Sequence, residues 1–181
     1  MVYILIGIVL VILFYTLLTY NGLVNTKNIV NEAFSTMDVY LKKRWDLIPN
    51  LLEIVKGYAK HEKDTFMQVT TLRANNYLNM TMDKKISINE QLAQGISTIM
   101  AISENYPDLK ANELFLELSN ELTQIEDEIA NSRKYYNGCV RIFNTKIQIF
   151  PSNIIAKIFG FKEQTMFMAD ANEKNSIKLE G

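Results

Sequence analysis

The sequence predicts an all-α protein: an N-terminal transmembrane helix followed by an elongated antiparallel helical bundle of long helices. Three observations predict it. Residues 2–20, VYILIGIVLVILFYTLLTY, carry no charge. Apolar residues then recur every three or four positions over two long stretches, the period of one helix face. No stretch alternates apolar and polar residues as a half-buried strand would. With 181 residues there is room for one domain plus an anchor and too little for two substantial domains. The chain divides accordingly into an anchor at 1–21, a bundle domain at 22–161 and a polar tail at 162–181 that is expected to be mobile.

The anchor comes first. About 20 apolar residues cross a hydrocarbon core of roughly 30 Å, so residues 2–20 are expected to lie in the lipid bilayer. A cleaved signal would want a basic segment before the apolar run and a small-residue site after it; no Lys or Arg precedes residue 2, and TLLTYNGLV offers no such site. The expectation is a retained, single-pass membrane anchor, with Tyr15 and Tyr20 suited to its interfacial end. Lys27 is the first charge after the span, and Lys42, Lys43 and Arg44 follow farther on, which leans towards a cytoplasmic C-terminal domain.

Beyond the anchor, Val30, Phe34, Met37, Leu41, Trp45, Ile48, Leu52, Val55, Ala59, Phe66, Val69 and Leu72 form a single helical stripe. Pro49 interrupts it chemically by removing a backbone donor and crowding the carbonyl of Trp45. Because the apolar phase carries through, a continuous helix kinked at Trp45 and Pro49 is preferred. The other reading is a break, with Asp46 as N-cap and Pro49 in a new first turn. Residues 74–89, ANNYLNMTMDKKISIN, read as a turning loop, and a shorter helix is expected from Asn89 to Glu104 with Leu92, Ile96, Ile99 and Met100 on one side. NYPDLK at 105–110 stops and restarts the chain. From Glu113 to Gln148 the residues Phe115, Leu118, Leu122, Ile125, Ile129, Ser132, Tyr136, Cys139 and Phe143 keep the three-four alternation of left-handed helix packing. Pro151 then stops the helix, and a short apolar turn ends at Gly160. Helices apolar on one face satisfy one another only by packing together, hence the bundle.

Charge and cysteine content exclude several classes. Lys and Arg total 19 against 20 Asp and Glu, so no basic footprint for nucleic acid exists. The single cysteine, Cys139, cannot form an internal disulfide, and its place on an apolar face reads as a buried structural thiol. His61 is the only histidine, and a zinc-protease pattern would need a second where Thr65 stands. The seven glycines form neither phosphate-binding pattern, and there is no G-x-S-x-G elbow. Glu62, Glu117, Glu121, Asp127 and Glu128 could in principle meet across a bundle, but a di-iron site pairs its glutamates with Glu-x-x-His motifs that are lacking. Solvated helix faces with pairs such as Glu53 and Lys56 account for these charges. No catalytic residue, metal site or cofactor is therefore expected.

One stretch stays open: LKKRWDLIPNLLEIVKGYAKHE, residues 41–62. Lys42, Lys43, Arg44, Asp46, Asn50, His61 and Glu62 are candidates for a surface that holds a protein partner or a second copy. On a straight helix Lys42 stands more than about 30 Å past the span, so lipid contact is the weaker use for it. The competing reading is architectural, with Arg44 and Asp46 facing polar groups of neighbouring helices and Trp45 packed in the core.

The motifs R-x-D-L-I-P-N-L at Arg44 to Leu51 and G-Y-x-x-H-E at Gly57 to Glu62 belong to a longer pattern. It includes YNGLV at 20–24, EAFSTMDVYLKKRWDLIPNLLEIVKGYAKHE at 32–62 and LTQIEDEIANSRKYYNGCVRIFNTKIQIFPSNIIAKIFGF at 122–161. This pattern resembles the LemA family over nearly the whole chain, with Phe34 where relatives often carry tryptophan, and Lys43 and Trp45 at positions that vary. The resemblance implies a single-pass bacterial membrane protein with a helical-bundle domain and no established enzymatic activity or cofactor. Relatives associated with specialised membranes in magnetosome-forming bacteria suggest a role in membrane organisation. The expected function is a non-enzymatic, membrane-anchored scaffold or adaptor of the bacterial envelope. The alternative is a self-assembling protein that forms rings or arrays and shapes membrane.

Overall fold

The structure is a computed structural model, and it describes residues 1–74 and 76–167. These residues form helices α1 (Val2–Tyr58), α2 (Lys63–Leu72), α3 (Met82–Ser103), α4 (Pro107–Lys110), α5 (Glu113–Gln148) and α6 (Ser152–Ile158), with a 3-10 turn at Tyr77–Asn79. No strand occurs among the described residues, and the all-α class stands.

α1 passes through Pro49 without interruption, so the reading with Asp46 as the cap of a new helix is excluded. The buried residues Met37, Leu41, Trp45, Ile48, Leu52 and Val55 keep their spacing on both sides of the proline. Packing on that face holds the helix together despite the missing donor. The stripe does not continue as one helix to Leu72, however. α1 ends at Tyr58, a turn closed by the Glu62 amide donating to the Ala59 carbonyl follows, and α2 starts at Lys63. The cause is visible in the stripe itself. Ala59 to Phe66 is its one seven-residue step, so no apolar side chain anchors the intervening turn, and Gly57 weakens the helix just before it.

α3 begins seven residues earlier than the sequence suggests, at Met82 instead of Asn89. Thr81 caps it by accepting from the Lys84 amide, and Asp83 sits in the first turn, where a carboxylate favours a helix start. Its buried face runs Ile86, Asn89, Leu92, Ile96, Ile99 and Ser103. Two polar members conceal that period from a count of apolar residues.

Residues divide into two compact units, 34–132 and the pair of segments 1–33 with the described residues from 133 onward. α1 and α5 contribute to both. Within 34–132, Arg44 meets Glu126 and Tyr58 meets Asn112, so α1 and α5 run antiparallel. The core joins the α1 stripe to Phe66 and Val69 of α2, Leu92, Ile96 and Ile99 of α3, Leu109, and Phe115, Leu118, Leu122, Ile125 and Ile129 of α5. α2 packs on α3 at Gly95, where a Cβ would stand 2.6 Å from Cγ2 of Val69.

In the other unit, Lys146 of α5 donates to the Thr26 hydroxyl of α1 at 2.7 Å, and Val30, Tyr136, Val140 and Phe143 are buried. Cys139 is a buried free thiol, as its apolar position suggests. Past α5, Ser152 donates to the carbonyls of Lys146 and Ile149, satisfying groups that a helix end leaves open. α6 ends in a Schellman turn: Gly160 has φ +71°, its amide donates to the Lys157 carbonyl, and the Phe161 amide donates to Ala156. The start of the expected mobile tail is instead packed. Asn144 brackets Gln164 with two hydrogen bonds of 2.9 Å, Asn137 brackets Phe167, and the Phe167 ring is buried edge-on to Tyr136. Residues 168–181 lie outside the described residues.

Candidate docking surface at the α1–α2 corner

The cluster singled out in the sequence separates into an inner and an outer part. Arg44 is inner, only 2% exposed. Its Nη1 donates to Glu126 Oε1 at 2.6 Å, and its Nη2 donates to the carbonyl and side-chain oxygens of Asn89 at 2.8 and 3.0 Å. The Asn89 amide in turn donates to the Lys85 carbonyl. This fork ties α1 to α3 and α5, and a guanidinium so placed is unavailable to a partner. Trp45 is also in the core, 5.1 Å from the Tyr77 ring, with the Arg73 guanidinium 5.2 Å over its face. Burial lowers the Arg73 pKa from its ordinary value, while Asp46 works in the opposite direction.

A second polar group stands one turn and a half before Arg44. Asp38 accepts from the Tyr77 hydroxyl at 2.6 Å and from Lys85, whose ammonium lies 4.6 Å from the Tyr77 ring centre. Burial first, then the bond to Asp38, pushes the Tyr77 phenol well above its usual range, so it donates as a neutral group. The loop containing Tyr77 is therefore pinned to α1 from both sides.

The outer part is less organised. Asp46 is exposed and pairs with Lys42 one turn back, an arrangement worth a few tenths of a kcal/mol, about 0.3–0.5. Lys43 lies over the Tyr40 ring, Asn50 and His61 are exposed, and Glu62 is partly buried beside the turn. The structure does not gather these seven residues into one surface.

It gathers a different set at the α1–α2 corner. Lys56, Lys60 and Lys63 rim a groove of about 750 Å³ whose other walls are Phe66, Met67, Thr70, Thr71 and Ala74. None of the three lysines is ion-paired among the described residues, and Met67 is 65% exposed. The hydroxyls of Thr70 and Thr71 donate to carbonyls one turn back, so they require no partner from the groove. The result is an apolar floor with a cationic rim that no carboxylate lines. Its only sequence signal is the turn at 59–62, because straightening α1 into α2 would place these side chains along a rod.

α1 also contains an 18-residue window of mean hydropathy 2.7, none of it buried, long and apolar enough to cross a membrane. The protein LemA of Metamycoplasma hominis is 28% identical over 159 residues, which cover 87% of this chain and 72% of that protein. Magnetosome protein MamQ 2 of Paramagnetospirillum magneticum is 24% identical over 178 residues, covering 83% of this chain and 65% of that protein. Magnetosome protein MamQ of Magnetospirillum gryphiswaldense is 23% identical over the same length. The chain spans slightly less than two thirds of the magnetosome proteins it matches. Apolar helix and relatives together make this a membrane-associated chain. The LemA family model matches residues 33–180, and the chain belongs to the LemA family.

Proposed function

We propose that the chain is a non-enzymatic scaffold held in the bacterial cell membrane by residues 2–20, and that the lysine-rimmed groove docks an acidic, amphipathic segment of a protein partner. The observation that carries this reading is the groove itself, an apolar floor under Lys56, Lys60 and Lys63 with no carboxylate among the residues that line it. A partner helix carrying apolar anchors flanked by Asp or Glu fits that chemistry. Lys27 beyond an uncharged span supports a cytoplasmic placement of the bundle. Photo-crosslinking in native membranes tests the docking. A photoreactive residue at Met67 is expected to yield a discrete adduct that Lys60→Glu with Lys63→Glu abolishes, whereas the same residue at exposed Leu78 yields none. Equal adducts at both positions would overturn the proposal.

A second reading has its own observation. Glu113, Leu114, Glu117 and Glu121 form an exposed edge of α5, and none of these glutamates is ion-paired among the described residues. Such an edge complements the groove on a second copy, and a contact between unlike surfaces propagates into rings or filaments. An adduct with the mass of two copies of this chain selects this reading.

A further inference from the structure

α6 presents an unusual surface. It buries Ile155 and Ala156 against Leu23, with Tyr20, Ile147 and Phe161 packed around them. Its other side leaves Ile154 and Ile158 exposed, the loop before it exposes Ile149 and Phe150, and Phe159 at its end is half exposed beside Tyr20, with Phe150 at 78% and Ile158 at 71%. Five large apolar side chains exposed within eleven residues mark a binding face, not a solvated one. Its location identifies the occupant. Tyr20 closes the apolar stretch of α1, and its ring lies 4.7 Å from Phe159 and 5.9 Å from Phe161. The exposed side chains therefore stand at the level where the span leaves the bilayer.

Charge agrees. Lys157 and Lys162 are exposed on α6 and just after it, and Lys27 of α1 sits 5.9 Å over the Phe161 ring. Within 141–167 the only carboxylate side chain is Glu163, which accepts from Gln148, and none occurs within 20–31. An apolar surface with aromatics and a cationic fringe is the composition that settles at the headgroup boundary of an anionic leaflet.

We propose that Ile149, Phe150, Ile154, Ile158 and Phe159 form a second membrane contact, a foot that lies in the bilayer interface beside the exit of α1. The proposal rests on the membrane-spanning reading of residues 2–20. The foot fixes the α1–α6 unit against the lipid surface by a shallow contact in addition to the span.

Depth-dependent fluorescence quenching of the full chain in vesicles of phosphatidylethanolamine and phosphatidylglycerol tests it. Ile158→Cys and, separately, Phe150→Cys carry an environment-sensitive dye in a Cys139→Ala background; Leu10→Cys serves as the reference within the span. Quenchers near the headgroup are expected to dim the foot labels at least threefold more than quenchers at the bilayer centre, with the reverse order at Leu10. Foot labels that remain water-like while Leu10 is quenched would overturn the foot and leave the span intact. Loss of quenching at Leu10 as well would overturn both. Labels that are dry, unquenched by lipid and crosslinked between copies would replace the foot with a self-contact. Unchanged helical circular dichroism confirms that each variant folds.

Discussion

Arg44 is where the family motif meets packing. Its buried fork supplies Glu126, the Asn89 carbonyl and the Asn89 side chain at once, while its Nε has no partner among the described residues. Arg44→Met keeps the stem volume but leaves the buried Asn89 side-chain oxygen without its donor and the partly exposed Glu126 carboxylate without its partner, and is expected to cost about 2 kcal/mol. Denaturant unfolding of the full chain in detergent measures it; a change below about 1 kcal/mol would mean that the fork is incidental. The sequence left Arg44 open between a docking surface and polar contacts with neighbouring helices, and the structure takes the second. What decided its place was Asn89, a polar residue on a buried face, and no periodicity of apolar residues reveals such a pairing. Trp45 was legible for the opposite reason, since its position in the stripe requires burial whatever its neighbours do.

At the scale of elements, α5 was readable to the residue because its stripe has no slip and its ends carry Asn112 and Pro151. Asn112 accepts from the Phe115 amide as a cap. α2 and the start of α3 were not readable, as their registers depend on Gly95 and Asn89, residues chosen by close approach and by the Arg44 fork. Gly95 makes that dependence testable. A Cβ there meets Cγ2 of Val69, a buried, β-branched side chain with little rotamer freedom. Gly95→Ala gains helix propensity of up to about 1 kcal/mol and loses about 1–3 kcal/mol to overpacking, so a net loss is expected. Adding Val69→Ala should recover part of it, a coupling that a double-mutant cycle reads directly. Strict additivity would show that α2 and α3 do not meet as described.

For the whole molecule, composition and period reach the helical class and the apolar N-terminal helix, and the motifs at 44–51 and 57–62 reach the family. Sequence reading did not reach the groove, because Lys56 of α1, Lys60 of the turn and Lys63 of α2 converge only through that turn at 59–62, where the stripe lacks an anchoring residue. A scaffold must bring something to the membrane, and the rim of Lys56, Lys60 and Lys63 is the surface proposed to do so. Exposed charges steer and select more than they stabilise, so reversing them should alter docking and leave the fold intact. The most direct measurement is the distribution of the captured partner between membrane and soluble fractions, with the full chain carrying native lysines or Lys60→Glu with Lys63→Glu. The account predicts that the partner leaves the membrane fraction by at least tenfold while the scaffold variant itself stays there. A partner that remains membrane-bound at the same level in both would contradict it.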